Sequence, residues 1–176
     1  DRGDWVARLP LGEWAHGGLD LSVEQRLLEH LGESGLAPAV VRGHSSDDIL
    51  ITHYLPEAKT WSAADAREAD NITRLSERLR DLHRIEHELL PFCATEIAER
   101  YQQLAERIRR LNAEQREWGR EFVALAREYD AGSHPAVVCH NDLVAANILD
   151  DGRLWLIDFE YAVLAEPILD LASLVG

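Results

Sequence analysis

The residues best suited to chemistry lie close together in His140-Asn141-Asp142-Leu143-Val144-Ala145-Ala146-Asn147. This polar stretch follows the apolar run Ala136-Val137-Val138-Cys139 and precedes Ile148-Leu149. A further apolar run, Leu154-Trp155-Leu156-Ile157, ends in Asp158-Phe159-Glu160. Short strands flanking a polar loop make a rigid platform for a site. An acid at the end of a buried strand costs desolvation unless it is paired or binds a metal. The polar groups are those needed to move a phosphoryl group. One carboxylate orients a hydroxyl and takes its proton, while an amide oxygen and a second carboxylate hold Mg²⁺ against phosphates. Mg²⁺ prefers oxygen and keeps several waters, so two protein ligands suffice.

Elements must hold these residues in place. Val6-Ala7-Arg8-Leu9 alternates and stops at Pro10, which predicts a short strand. A helix is expected from Leu21 to Ser34, capped by Ser22, with Val23, Leu27, Leu28 and Leu31 on one face and Gly35 ending it. Pro38–Gly43 and Ile49–Tyr54 read as strands, joined as a hairpin by Ser45-Ser46-Asp47-Asp48. Ser62–His87 reads as helix, with Ile72, Leu75, Leu79, Leu82 and Ile85 at helical spacing. A long amphipathic helix is expected from Thr95 to Tyr129, broken near Asn112, with Glu and Arg alternating on a solvated face. Ala136–Cys139, Ile148-Leu149 and Leu154–Ile157 are short strands, the last two joined by Asp150-Asp151-Gly152-Arg153, and a helix starts at Asp170. This order predicts an α+β fold of two unlike lobes, residues 1–55 and 56–176, joined near Leu55.

Composition narrows the partners. The chain has 176 residues, 46% hydrophobic and 28% charged, enough for a buried core. The formal net charge of −14 argues against a nucleic-acid partner, which needs clustered Lys and Arg. It suits a cationic substrate, or solubility alone. No apolar run reaches the roughly 18 residues of a membrane span, and no signal pattern is visible. Cys93 and Cys139 are too few for a disulfide framework or a cysteine-rich metal site, fit a reducing cytoplasm, and leave Cys139 as a small buried hydrophobe.

The spacing D-x-x-x-x-N followed by D-F matches the catalytic and metal loops of kinases. The segment His140–Glu160, H-N-D-L-x-x-x-N-I-L then L-I-D-F-E-Y-A, resembles the phosphotransferase family of choline/ethanolamine kinases, thiamine kinases and aminoglycoside phosphotransferases. Glu166-Pro167-Ile168-Leu169-Asp170-Leu171-Ala172 resembles the family's D-P-x-x-D-L-A, with Glu166 where Asp is usual. The resemblance implies a kinase-like bilobal fold that uses ATP and Mg²⁺. Asp142 would be the catalytic base, Asn147 and Asp158 the Mg²⁺ ligands, and Asp170 a structural brace bonding the loop backbone or His140. Less closely, Val6–Pro10 resembles the strand carrying the phosphate-binding base, so Arg8 would reach the ATP phosphates and Glu24 would hold it. Ile51-Thr52-His53-Tyr54-Leu55 resembles the hinge, whose backbone at His53, Tyr54 and Leu55 would meet the adenine edge. Trp61 matches a packing Trp after the hinge.

Blander readings stand beside these. The lesser alternatives are that Arg8 is an ordinary strand-edge residue and Glu24 a solvated helix residue. Glu160 is either a third acid near metal or substrate, or a structural acceptor. His83-Arg84-Ile85-Glu86-His87 matches H-x-x-E-H, a zinc-protease pattern, but no distant third ligand is apparent, and Leu-His-x-Ile also occurs as a packing helix in the resembled family. The chain matches only the family's middle, so it is expected to be truncated at both ends and poorly active alone. By the same resemblance, a glycine-rich loop before Arg8 and helices after Gly176 that complete the acceptor pocket are the parts expected to be missing. Tyr161 after Asp-Phe-Glu leans toward a choline, ethanolamine or thiamine type of acceptor, a small cationic alcohol. Aminoglycosides are the alternative acceptor. An inactive nucleotide-binding or scaffold protein is the alternative of another class.

Overall fold

The computed structural model describes residues 3–9, 21–44, 49–132 and 135–175. The expected Pro10 stop, the Ser45–Asp48 turn and the segment before Gly3 lie outside them. The chain divides into two compact units, Asp1–Leu90 with Ala136–Gly176, and Pro91–Pro135.

In the first unit, β1 (Trp5–Arg8) and β2 (Val40–His44) both pair antiparallel with β3 (Ile49–His53). The register sets Trp5 opposite His53 and Arg8 opposite Leu50. Val40 faces Thr52 while Arg42 faces Ile51, so Val41 is the extra residue of a bulge. Between β1 and β2 runs α1 (Leu21–Glu33), which buries Glu24, Leu27, Leu28 and Leu31. Ser22 lies inside this helix, so the expected cap is instead a first-turn residue. The helix ends as expected. Leu36 N–H bonds back to Leu31 O at 2.8 Å across Gly35, whose φ of +67° suits glycine.

The long helix expected over Ser62–His87 is shorter at both ends. Asp65 captures the Ser62 N–H at 2.7 Å, a 3-10 turn follows at Asp65–Arg67, and Glu68 is extended at ψ 129°. Only then does α2 (Ala69–Leu82) begin, burying Leu75, Leu79 and Leu82. Local side-chain capture outcompetes helix at such Ser and Asp positions.

Three antiparallel pairings complete this unit. β4 (Lys59–Thr60) joins β6 (Ile148–Asp150), which pairs with β7 (Leu154–Leu156), and β5 (Val137–Cys139) pairs with β8 (Val163–Ala165). The pairings of β4 and β8 were not apparent in the sequence, because strands of two or three residues carry too little periodicity. A closing helix, α5 (Ile168–Val175), holds Asp170 in its first turn. Leu27, Leu31, Leu36, Leu75, Leu82, Leu143, Ile148, Leu156 and Phe159 form one core, each at most 1% exposed.

The second unit is a helical hairpin, α3 (Ala94–Ile108) and α4 (Ala113–Asp130). The break expected near Asn112 is a helix start. Asn112 Oδ1 accepts from Gln115 N–H at 2.8 Å, and Gln115 Oε1 accepts from Asn112 N–H at 3.0 Å. Asp130, the last residue of α4, accepts from the Ala94 and Thr95 N–H groups at 2.9 and 2.8 Å, so the helices run antiparallel. Their small core is Ala98, Val123 and Ala126.

Candidate active site

The loop carrying Asp142 is held by its own polar groups. Asp170, with no exposed surface, accepts from Asn141 N–H through Oδ1 at 2.8 Å and from His140 N–H through Oδ2 at 3.2 Å. His83 Nε2 meets the same Oδ2 at 2.8 Å. The His140 ring, also fully buried, donates to Ile157 O through Nε2 at 2.8 Å and packs at a tilt against Phe159, centroid to centroid 4.4 Å. Its Nδ1 accepts from Asp142 N–H at 3.3 Å. Thus the segments leading into the two expected acids are tied together: His140 lies two residues before Asp142, and Ile157 directly precedes Asp158.

Two backbone conformations in the site are unusual. Asn141 has φ 61° and Asp158 φ 67°, both in the left-handed region. Such conformations cost of order 1 kcal/mol or more, persist where surroundings over-determine them, and gather at functional sites. Asn tolerates them best, so Asn141 before Asp142 was a usable sequence signal.

The Asn147 amide is oriented by its nitrogen. Nδ2 donates to Asp142 O at 2.9 Å and to Asp142 Oδ2 at 3.1 Å. Its Oδ1 takes no hydrogen bond among the described residues and is not sealed from solvent. The Asp158 carboxylate is 40% exposed and uses Oδ1 for Arg8 at 3.3 Å. Uncommitted, accessible oxygens of an amide and a carboxylate are the hard donor set that Mg²⁺ takes, so these residues fit that ion.

Arg8 joins the strand sheet to this loop. Its Nη1 donates to Glu24 Oε1 at 2.8 Å and to Asp158 Oδ1 at 3.3 Å, and its Nη2 also bonds Glu24. Glu24 is only 1% exposed, so a buried acid on α1 has its cation. Burial works against the Arg8 charge, but the Glu24 hydrogen bond and charge outweigh it, and with Asp158 and Glu160 they raise the guanidinium above its ordinary value. Glu160 is pushed up, first by burial and then by the charge of Asp158, with Arg8 pulling the other way. It therefore shares the field of the Arg8 cluster.

The hinge residues stand apart from that cluster. His53 N–H donates to Ala39 O and Tyr54 N–H to Asp4 O, each at 2.9 Å. Of these residues only Leu55 has an N–H without a hydrogen bond among the described residues. The β1 register puts the His53 end and the Arg8 end of the sheet three residue steps, about 10 Å, apart.

Other residues noted in the sequence have structural partners. Trp61 is buried, as its packing role implied, and its indole N–H donates to Asp150 Oδ2 at 3.2 Å. Arg74 grips Asp150 with two bonds of 2.7 Å, a clamp between α2 and β6 that spacing alone did not reveal. The H-x-x-E-H stretch lies beyond the end of α2, so it has no helix face to share. His83 turns to Asp170, while the His87 ring lies 6.0 Å from that of His30.

The family model of the phosphotransferase enzyme family (APH) matches residues 1–176. A stretch of 38 residues is 50% identical to Protein LicA of Haemophilus influenzae, covering 21% of this chain and 14% of that protein. Choline kinase LicA from Streptococcus pneumoniae superposes with a TM-score of 0.79 at 26% identity, over 98% of this chain and 61% of that one. An aminoglycoside-3'-phosphotransferase of type VIII superposes at 0.64 with 26% identity, over 97% and 67%. The chain spans about three fifths of the choline kinase it resembles. It belongs to the phosphotransferase enzyme family, and its α+β fold is the kinase-like fold of these neighbours.

Proposed function

From that membership we propose that the protein transfers the γ-phosphoryl group of ATP to the hydroxyl of a small cationic alcohol, of the choline, ethanolamine or thiamine type. The observation that carries this reading is the Arg8 bridge. One guanidinium bonds both Glu24 on α1 and Asp158 beside the Asp142 loop. A cation there lies where phosphates would need neutralising, next to the oxygens suited to Mg²⁺. Beyond the His53 end of β3, the free N–H of Leu55 is the donor for an adenine edge.

Each residue has a defined task in this mechanism. Asp142 orients the acceptor hydroxyl and takes its proton, its carboxylate held by Asn147 Nδ2 at 3.1 Å. Asn147 Oδ1 and Asp158 would hold Mg²⁺, which when bound neutralises phosphate charge. Arg8 fixes the phosphates, and Glu24 fixes Arg8. Glu160 adds negative charge beside Asp158, which with the net charge of −14 favours a cationic acceptor. The lobe boundary near Leu55 and a cytoplasmic setting belong to the same reading. No helix among the described residues is long and apolar enough to cross a membrane.

The test is an acceptor screen of the full-length protein with Mg²⁺ and ATP against choline, ethanolamine, thiamine and kanamycin. Phosphorylation of one of the first three, lost in Asp142→Asn, is the expected result. Phosphorylation of kanamycin alone moves the substrate to the aminoglycosides. ATP binding that needs Asp158 but yields no transfer to any acceptor points to a nucleotide-binding scaffold.

A further inference from the structure

We propose that His30 and His87 form a binding site for a divalent transition metal of the Zn²⁺ class, one that fastens α1 to the segment after α2. The site needs neither ATP nor an acceptor, so it stands or falls apart from the phosphotransferase reading.

The two rings come from different elements. His30 lies in the last turn of α1, and His87 lies beyond the end of α2 at Leu82. Their ring centroids are 6.0 Å apart, with the planes tilted by 51°. With Zn–N bonds of about 2.0–2.1 Å, two imidazoles on one ion have centroids roughly 5–6 Å apart, so little movement closes the site. Neither ring takes a hydrogen bond among the described residues, and no ring nitrogen is sealed from solvent. Accessible, uncommitted imidazole nitrogens suit Zn²⁺, Ni²⁺ or Cu²⁺, whereas Mg²⁺ takes oxygen.

His87 lines a cleft of about 550 Å³ together with Arg26, Glu86 and Glu88. The cleft has room for an ion and for the waters that complete its shell. Glu86 and Glu88 offset the charge of a dication, and Arg26 opposes it. Burial, then the charges of His30 and Arg26, hold the His87 imidazole below its usual value, with Glu88 pulling the other way. The neutral ring is the form that ligates.

Both mounts are fixed in the main core. Leu27, Leu28 and Leu31 bury the inner face of α1 around His30. Near His87, Leu89 is buried, Ile85 packs on the same core, and Ile85 N–H bonds Leu82 O at 3.0 Å. Ligands held by their backbones lose little freedom on binding. Because α1 also carries Glu24, an ion at His30 fastens the helix that holds Arg8.

A rival grouping is His83, Cys139 and Asp170, whose ligand atoms lie within 4.8 Å of one another. Its members are already committed. His83 Nε2 bonds Asp170 at 2.8 Å, and both Asp170 oxygens also accept backbone N–H groups. Burial, then the charge of Asp170, push the Cys139 thiol up to about 12. A thiol kept protonated is a poor ligand.

Calorimetric titration of Zn²⁺ into the metal-stripped, full-length protein, free of any histidine tag and held in excess Mg²⁺, tests the site. The Mg²⁺ competes for oxygen ligands such as Asn147 and Asp158 and leaves imidazoles free. Wild type is expected to bind one equivalent and to saturate below about 100 µM Zn²⁺. His30→Ala and His87→Ala are each expected to weaken binding by at least about tenfold. The Gln substitutions at the same positions keep side-chain bulk and are expected to behave alike, which decides the matter where an Ala variant does not fold. Zn²⁺ is expected to raise the Tm of wild type and of Cys93→Ser, and to leave that of the histidine variants unmoved. Failure of the wild type to saturate in that range overturns the proposal. So does wild-type affinity in either histidine variant, or loss of binding in Cys93→Ser. Loss in His83→Ala with His87→Ala unaffected also overturns it, by placing the ion in the buried cluster.

Discussion

Around Asp142 the molecule buries what it would ordinarily expose. Glu24, His140, Asn147 and Asp170 are all under 9% exposed, and each has its partner. The α3–α4 hairpin does the reverse. Tyr101, Ile108, Trp118, Phe122 and Leu125 are each more than half exposed, while Ala98, Val123 and Ala126 fill the seam. The difference separates two uses of stability. In the loop, desolvated polar groups are compensated by hydrogen bonds so that a few side chains keep one geometry. In the hairpin, helices persist through capping and a narrow seam, and much apolar area contributes nothing to folding.

Breaking the loop should therefore cost function first. Asp142→Asn is expected to lower phosphoryl transfer by about a thousandfold, roughly 4 kcal/mol in activation free energy. Its melting temperature should stay near wild type, because Asn147 keeps an oxygen to bond. Asp170→Ala strikes the brace and should destabilise the protein by about 3 kcal/mol in urea titration, since buried N–H groups lose their acceptor. A change below about 1 kcal/mol there would mean that the loop does not need its buried acid.

A smaller effect is expected at the Arg74–Asp150 clamp. Hydrogen bonds from Arg74, with help from Gly152 and Trp61, pull Asp150 from 3.8 down to about 2. A lowered carboxyl stabilises the fold above its unfolded value and loses that contribution as pH falls through its folded value. Stability should thus decline between about pH 4 and pH 2, and Arg74→Ala should flatten that decline. Near neutral pH the same variant should cost about 1 kcal/mol, the worth of a partly exposed bidentate pair. The smallest effect belongs to the hairpin. Trp118→Ser with Phe122→Ser should change stability by less than about 0.5 kcal/mol each, measured by thermal unfolding, because neither side chain is in the seam. A large loss would show that this face is covered and would weaken the contrast between loop and hairpin.

Much of the site was legible in the sequence. Asp142, Asn147 and Asp158 announced themselves as acids and an amide at strand ends, where bare polarity is costly. Leu27, Leu31, Leu75, Leu79 and Leu82 marked their helix faces by spacing, and Gly35 marked a helix end. Less legible were the limits of α2, where Ser62 and Asp65 divert the backbone, and β4 and β8, too short to show a period.

What the sequence determined by itself is the chemical inventory, because residue type and local spacing set which groups a short loop can present. The tertiary structure alone decided who meets whom. Arg8 reaches Asp158 across 150 positions of chain, His83 reaches Asp170 across 87, and Arg74 reaches Asp150 across 76. No local pattern encodes such pairs. They exist because the packing of α1, α2 and the short strands brings distant charges into one low-dielectric neighbourhood, where each must find the partner that offsets its burial.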